Sequence, residues 1–270
     1  YNSHHIFFRD EGEGEVLLIL HGYPFNTFDF KDIWPYLTSR FRVIAPDMLG
    51  MGFSDKPSDY EYSFDNHTEI FLSLLSTLQI RKVHILAHDL GNSVAQELLA
   101  RNEEGKLNIE IKSIAFLNGG LFTDVYKPRV IQILLSKLLS KLISKRSIDK
   151  ATAEVFGIFT KPTTELHSDF WEILNFNNGK SLSWKIGRLV FSKEPNQPRW
   201  ISAMQSTRVP MCFINGPSDP NSGLHMAKRY QELIPNYNVI LLSQHIRHWP
   251  QIEAPAEVIQ ALKEFYNTLD

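Results

Sequence analysis

Six short apolar runs set the frame of this chain, at residues 15–20, 41–45, 83–86, 111–117, 209–214 and 239–242. They are near-continuous rather than alternating, which is the pattern of strands covered on both faces, as in a parallel sheet. Helical periodicity fills the gaps at 65–78, 92–101, 223–233 and 255–269, and residues 4–9 read as an extra strand at the sheet edge. The class is therefore α/β, with a mostly parallel, doubly wound sheet. The alternation breaks between 121 and 208, where Pro128, Pro162, Pro195 and Pro198 punctuate helical stretches. That block reads as a helical cap, 121–208, set on a core of 1–120 and 209–270. It is expected over the C-terminal edge of the sheet, where open α/β folds take their ligands.

A chain of 270 residues, 43% hydrophobic, has enough apolar surface for a sizeable core. Its net charge of −2 gives no electrostatic footprint for nucleic acid. The one cysteine, Cys212, falls inside an apolar run and has no internal disulfide partner, which favours a reducing, cytoplasmic compartment. No apolar stretch reaches the ~18–20 residues of a spanning helix. The sequence begins at Tyr1 rather than Met, so a targeting segment ahead of it would go unseen.

Chemistry concentrates at strand ends. Ala87-His88-Asp89-Leu90-Gly91 follows one apolar run and precedes a helix, so it reads as strand, tight turn, helix with a carboxylate at the apex. A serine nucleophile is presented on such a turn in G-x-S-x-G elbows. A carboxylate there suits attack on saturated carbon, whereas a serine suits acyl transfer. His21-Gly22-Tyr23-Pro24 follows the first long strand, and Asp47 to Pro57 follows the next. Gly216-Pro217-Ser218-Asp219-Pro220 and His248-Trp249-Pro250 follow the last two. Each has a plainer reading. Asp89 also fits a helix N-cap, and Asp219 fits ordinary turn chemistry. Gly50 and Gly52 lack the third glycine of a dinucleotide fingerprint and read better as a tight loop. His245 and His248 have ligand-like spacing without surrounding carboxylates, so no metal or organic cofactor is implied.

Taken together, the elbow and these strand-end motifs resemble the α/β-hydrolase superfamily, in its aspartate-nucleophile branch of epoxide hydrolases and haloalkane dehalogenases. Within it, Ser54-Asp55-Lys56-Pro57, Asn118-Gly119-Gly120 and Gln96-Glu97-Leu98-Leu99 look most like the mesoderm-specific transcript subfamily. The resemblance implies a triad of Asp89 as nucleophile, Asp219 as orienting acid and His248 as base, in the family's order. Asp89 would form an alkyl ester, and His248 would activate the water that cleaves it. The N–H groups of Tyr23 and Leu90 would form the oxyanion hole, Pro24 having no N–H to offer. The other family position for the acid is the neutral Asn118. His88 is expected to position the elbow rather than react.

Departures from the family narrow the reaction. Dehalogenases carry Trp after the nucleophile and Asn after His-Gly to hold the halide, where this chain has Leu90 and Tyr23. Epoxide hydrolases donate a proton from cap tyrosines, and within 121–208 the sequence offers Tyr126 alone, with Tyr23 as a second phenol. His21 and Tyr126 are the expected substrate-binding side chains. The leading expectation is an epoxide hydrolase-like enzyme acting on a small apolar molecule, to match Phe156, Phe159, Phe170, Trp171, Phe176 and Trp184 of the cap. Haloalkane dehalogenation, carboxylic-ester hydrolysis and cofactor-free oxygenation are alternatives on the same fold. A non-catalytic binding protein is the alternative from another class.

Residues 128–146 also read as an amphipathic helix, with Leu134, Leu135, Leu138, Leu139, Leu142 and Ile143 on one face and lysines every fourth residue. Packing on the protein's own core is the commoner use of such a helix. Weak association with an anionic membrane surface is the alternative.

Overall fold

The computed structural model describes residues 1–137 and 143–269. The first part of the chain gives β1 (Phe8–Glu11), β2 (Val16–Leu20), α1 (Trp34–Arg40), β3 (Arg42–Pro46) and α2 (Phe64–Thr77). It continues with β4 (Lys82–Ala87), α3 (Leu90–Glu103) and β5 (Glu110–Phe116). A helical stretch follows, with α4 (Val130–Leu135), α5 (Lys145–Val155), α6 (Thr164–Asn175), α7 (Gly179–Gly187) and α8 (Gln197–Ser206). The chain closes with β6 (Met211–Asn215), α9 (Leu224–Leu233), β7 (Val239–Leu241), α10 (Pro250–Glu253) and α11 (Pro255–Asn267).

Seven strands form one sheet in the order β1-β3-β2-β4-β5-β6-β7. All neighbours are parallel except β1, which runs antiparallel to β3 with Phe8 opposite Pro46. The edge strand predicted over 4–9 forms later. Residues 5–7 bond instead to the loop after β3, through His5 N–H to Asp55 Oδ2 (2.7 Å) and Phe7 N–H to Ser54 Oγ (3.0 Å).

Alternation along each strand divides the core into two layers. Leu18, Leu20, Ile85 and Phe116 face α2, α3, α8 and α9, whereas Leu17, Ile19, Leu86 and Cys212 face α1 and α11. Full burial of each such side chain contributes about 1.5–3 kcal/mol. Two layers on opposite faces explain why the strand runs are apolar throughout.

The stretch from α4 to α7 rests on loops at the C-terminal ends of the strands. Phe170 of α6 stacks on Phe25 of the loop after β2 (3.9 Å between centroids), and Phe156 stacks on Trp249 after β7 (5.4 Å). By contrast α8 lies against α3, where the buried Glu97 carboxylate accepts from Arg101 Nε (2.7 Å), Arg199 Nη1 (2.6 Å) and Trp200 Nε1 (2.8 Å).

The single amphipathic helix predicted over 128–146 does not form as one piece. α4 ends at Leu135, with Ser136 N–H bonded back to Gln132, and α5 starts afresh behind Ser144, whose Oγ caps Ser147 N–H at 3.2 Å. Val130, Ile133 and Leu134 are exposed. Leu138, Leu139, Lys141 and Leu142 of the predicted stripe lie outside the described residues. Among the described residues no helix is long and apolar enough to cross a membrane.

Candidate active site

Asp89 occupies the turn between β4 and α3 at φ 50°, ψ −111°, a conformation that costs a non-glycine residue about 1–3 kcal/mol. Its surroundings impose it. Asp89 N–H donates to the Asn118 carbonyl (2.8 Å), and His88 N–H donates to the Leu20 carbonyl (3.0 Å). Gly91 must be glycine here, because a Cβ would run into the Leu20 carbonyl oxygen. Gly22 must be small for the same kind of reason, since its Cβ would stand 2.6 Å from Asp89 Cβ. The carboxylate makes no cap bond to α3, so the plain N-cap reading of Asp89 fails.

The two oxygens of that carboxylate have different partners. Oδ1 accepts from Tyr23 N–H at 2.9 Å, and Oδ2 faces His248 Nε2 at 3.4 Å. On its other side His248 Nδ1 bonds to Asp219 Oδ2 at 2.8 Å. Asp219 is itself held by Asn221 N–H (2.8 Å), Ser222 Oγ–H (2.6 Å) and Asn118 Nδ2 (3.2 Å). Asp89, His248 and Asp219 are all buried. Burial disfavours the charged imidazole, but the adjacent Asp219 and then Asp89 override it and raise His248 to about 10. Burial likewise pushes Asp89 up, and the His248 contact outweighs it, leaving the carboxyl well below its ordinary range. The resting centre is thus an imidazolium between two carboxylates.

The histidine's backbone is fixed from both sides. Its N–H donates to the Val155 carbonyl of α5 (3.0 Å), and its carbonyl accepts from His88 Nε2 (2.8 Å). That bond places the His88 proton on Nε2, and burial depresses its pKa to about 4, so the ring is neutral. Leu90, which follows Asp89 at the first position of α3, has an N–H with no intrahelical acceptor.

The side chains expected to bind substrate, and the Tyr23 phenol, have these surroundings. His21 is buried with both ring nitrogens on the main chain, Nδ1 to Gly22 O and Nε2 to Met48 N–H, each at 2.8 Å. Its ring therefore locks two loops together rather than facing a ligand. The Tyr23 phenol donates to the Ser183 carbonyl of α7 (3.1 Å) and is not free to protonate a substrate. Tyr126 Oη accepts from Gln132 Nε2 of α4 at 2.7 Å, and burial pushes its pKa far up.

Three further residues belong to this neighbourhood. Asn118 holds both Asp219 and the Gly216 main chain, accepting from Gly216 N–H at 2.7 Å. Asp29 is buried under Trp249, whose Nε1 donates to Asp29 Oδ2 at 3.1 Å, and burial raises the Asp29 carboxyl to about 8. Lys193 is buried beside Tyr126. Asn118 was legible as the alternative acid position. Nothing in the local sequence marks Asp29 or Lys193.

The cavity adjoining His248 is small, about 60 Å³, and is bounded by Tyr23, Phe25, Gln132, Val155 and Trp249. Gln132 of α4 and Val155 of α5 are part of its wall, so a molecule lying there meets both helices. A larger hollow of about 610 Å³ lies elsewhere, against Glu97, Arg101 and Arg199, and shares no residue with this site.

Comparison with known proteins sets the chain and its fold beside others. A family model described as alpha/beta hydrolase fold matches residues 15–255. Mesoderm-specific transcript protein of Mus musculus is 36% identical over 285 residues, covering 99% of this chain and 84% of that protein. The epoxide hydrolase CorEH superposes with a TM-score of 0.79 at 20% identity, over 100% of this chain and 97% of its own. The haloalkane dehalogenase DatA of Agrobacterium tumefaciens C58 gives 0.80 at 18%, over 99% and 94%.

Proposed function

The chain belongs to the alpha/beta hydrolase fold family, and from that premise we propose that it hydrolyses a small apolar epoxide through an ester formed on Asp89. One observation carries the reading: the Asp89 carboxylate has one oxygen on a backbone N–H and the other toward the imidazole. The ionised carboxylate attacks the ring carbon, and Oδ1 stays on the Tyr23 N–H. Water then adds to the ester carbonyl, and the oxyanion forms where Tyr23 and Leu90 supply N–H groups.

Ester formation also prepares the base. A neutral ester at Asp89 removes one of the two negative charges that hold the proton on His248. The imidazole's proton affinity falls, the proton leaves to solvent, and the neutral ring becomes able to accept one from water. Asp219 remains to stabilise the imidazolium that results.

Epoxide opening is favoured over dehalogenation by the indole beside the site. Trp249 Nε1–H is committed to Asp29, and Leu90 has no side-chain donor, so a departing halide would meet neither. The likenesses to CorEH and DatA are equally distant and do not discriminate.

A panel of epoxides, haloalkanes and aryl esters identifies the substrate class. Single turnover of an active epoxide in ¹⁸O-water is then expected to place label in the Asp89 carboxylate, read by mass spectrometry of its peptide. His248→Gln is expected to accumulate the ester. Unlabelled Asp89 after confirmed turnover defeats the proposal.

A further inference from the structure

Lys193 lies just before a short 3-10 turn (Glu194–Asn196) and is 3% exposed. Its Nζ donates to the Gly120 carbonyl at 3.1 Å and stands 5.6 Å from the centroid of the Tyr126 ring. Among the described residues no carboxylate forms an ion pair with it, and one of its three N–H donors has an acceptor. Burying an ammonium on such terms is costly, so its retention needs a reason. Its position supplies one. Gly120 follows Gly119, and a Cβ on Gly119 would stand 2.8 Å from Asp89 Cα. Asp89 is the carboxylate that favours the charged form of Lys193, and Lys193 in turn favours the ionised form of Asp89.

Ring opening needs a proton for the departing oxygen; His248 is held by Asp219 on its other side, and the nearby phenols and indole are poor sources. The Tyr23 phenol donates to Ser183, the Trp249 indole donates to Asp29, and the Tyr126 phenol is made a weaker acid by burial. Resting on the Asp89-ester reading, we propose that Lys193 is the general acid of that step, its ammonium protonating the epoxide oxygen while Asp89 attacks the ring carbon. A bond forms from a carboxylate oxygen to carbon, and the ring C–O bond breaks with its electron pair on oxygen. That oxygen takes a proton from Nζ, leaving a hydroxyalkyl ester and a neutral amine. Hydrolysis of the ester yields the diol and a carboxylic acid at Asp89, whose ionisation returns a proton to the amine. Burial lowers Lys193 to about 8, which suits an acid that is charged at neutral pH yet releases its proton readily.

The test follows Asp89 ester formation in single turnovers by rapid quench and peptide mass spectrometry. It compares a small epoxide with an alkyl iodide of the same carbon skeleton, whose leaving group needs no proton. In the unaltered protein the epoxide reaction is expected to fall above pH about 8, while the iodide reaction stays level. Lys193→Met is expected to slow the epoxide reaction about 100-fold more than the iodide reaction. Lys193→Arg keeps the charge but holds its proton too tightly (pKa above ~12), and is expected to be slow without the limb near 8. Equal pH profiles for the two substrates in the unaltered protein overturn the assignment, as does equal slowing of both by Lys193→Met. Ester on Asp89 with either substrate keeps the nucleophile reading whatever becomes of Lys193; no ester with both removes the nucleophile and the acid together.

Discussion

Lys193 carries a cost that stability measurements can read. Its folded-state value of about 8 lies below the ordinary lysine value of about 10.4. Between those two values the unfolded chain binds more protons than the folded one, so this residue makes stability rise with pH there. At pH 7 the full penalty is present. Lys193→Met is therefore expected to gain urea resistance at pH 7, and the gain is expected to shrink as pH rises from 8 toward 10.4. Any residual loss at high pH reports the missing bond to Gly120, worth about 1 kcal/mol. His248 runs the other way, stabilising fully below about 6.5 and losing its contribution as pH rises through about 10. It is common to both proteins and cancels in the difference, so a difference that ignores pH would show that the charge is not the cost. Asp89, Asp219 and His248 were legible in the sequence because each sits in a motif at a strand end. Lys193 was not, because it lies in no such motif and its bond to the Gly120 carbonyl spans 73 residues of chain.

α3 is the element on which the site depends most, because its first turn presents Asp89 and its last turns anchor α8. Glu97 joins the two helices by accepting from Arg199 and Trp200 of α8 as well as from Arg101 of α3, and its side chain is buried. Glu97→Gln keeps the shape but loses the charge, and bonds to charged groups contribute about 1.5–3 kcal/mol. A loss of that size is expected in denaturant titration, with turnover at 25 °C unchanged because Glu97 touches none of the reacting groups. A large drop in turnover with unaltered stability would contradict this division of roles. Periodicity revealed α3 itself, since fourteen residues give the pattern room to repeat. It missed α10, four residues long, and it ran α4 into α5 because it is blind to where Ser136 and Ser144 end one helix and start the next.

At the scale of the whole molecule the alternating runs specified the sheet and its covered faces, while the fit of helices onto strand-end loops had no local signature. That fit has a functional edge. Val155 holds the His248 N–H, and Glu253 accepts from Gly157 N–H (2.7 Å), Thr160 Oγ1–H (2.8 Å) and Trp249 N–H (3.1 Å). A chimera that receives residues 121–208 from a relative is expected to fold yet turn over poorly. Adding the relative's segment 243–255 is expected to restore activity, with kcat recovering more than KM. Equal activity of the two chimeras would show that the bonds between these parts are interchangeable. The Val155 carbonyl and the Glu253 carboxylate thus tie the end of α5 and the residues after it to the loop that carries His248. A substitution in α5 that shifts the Val155 carbonyl is therefore expected to carry the main chain of His248 with it.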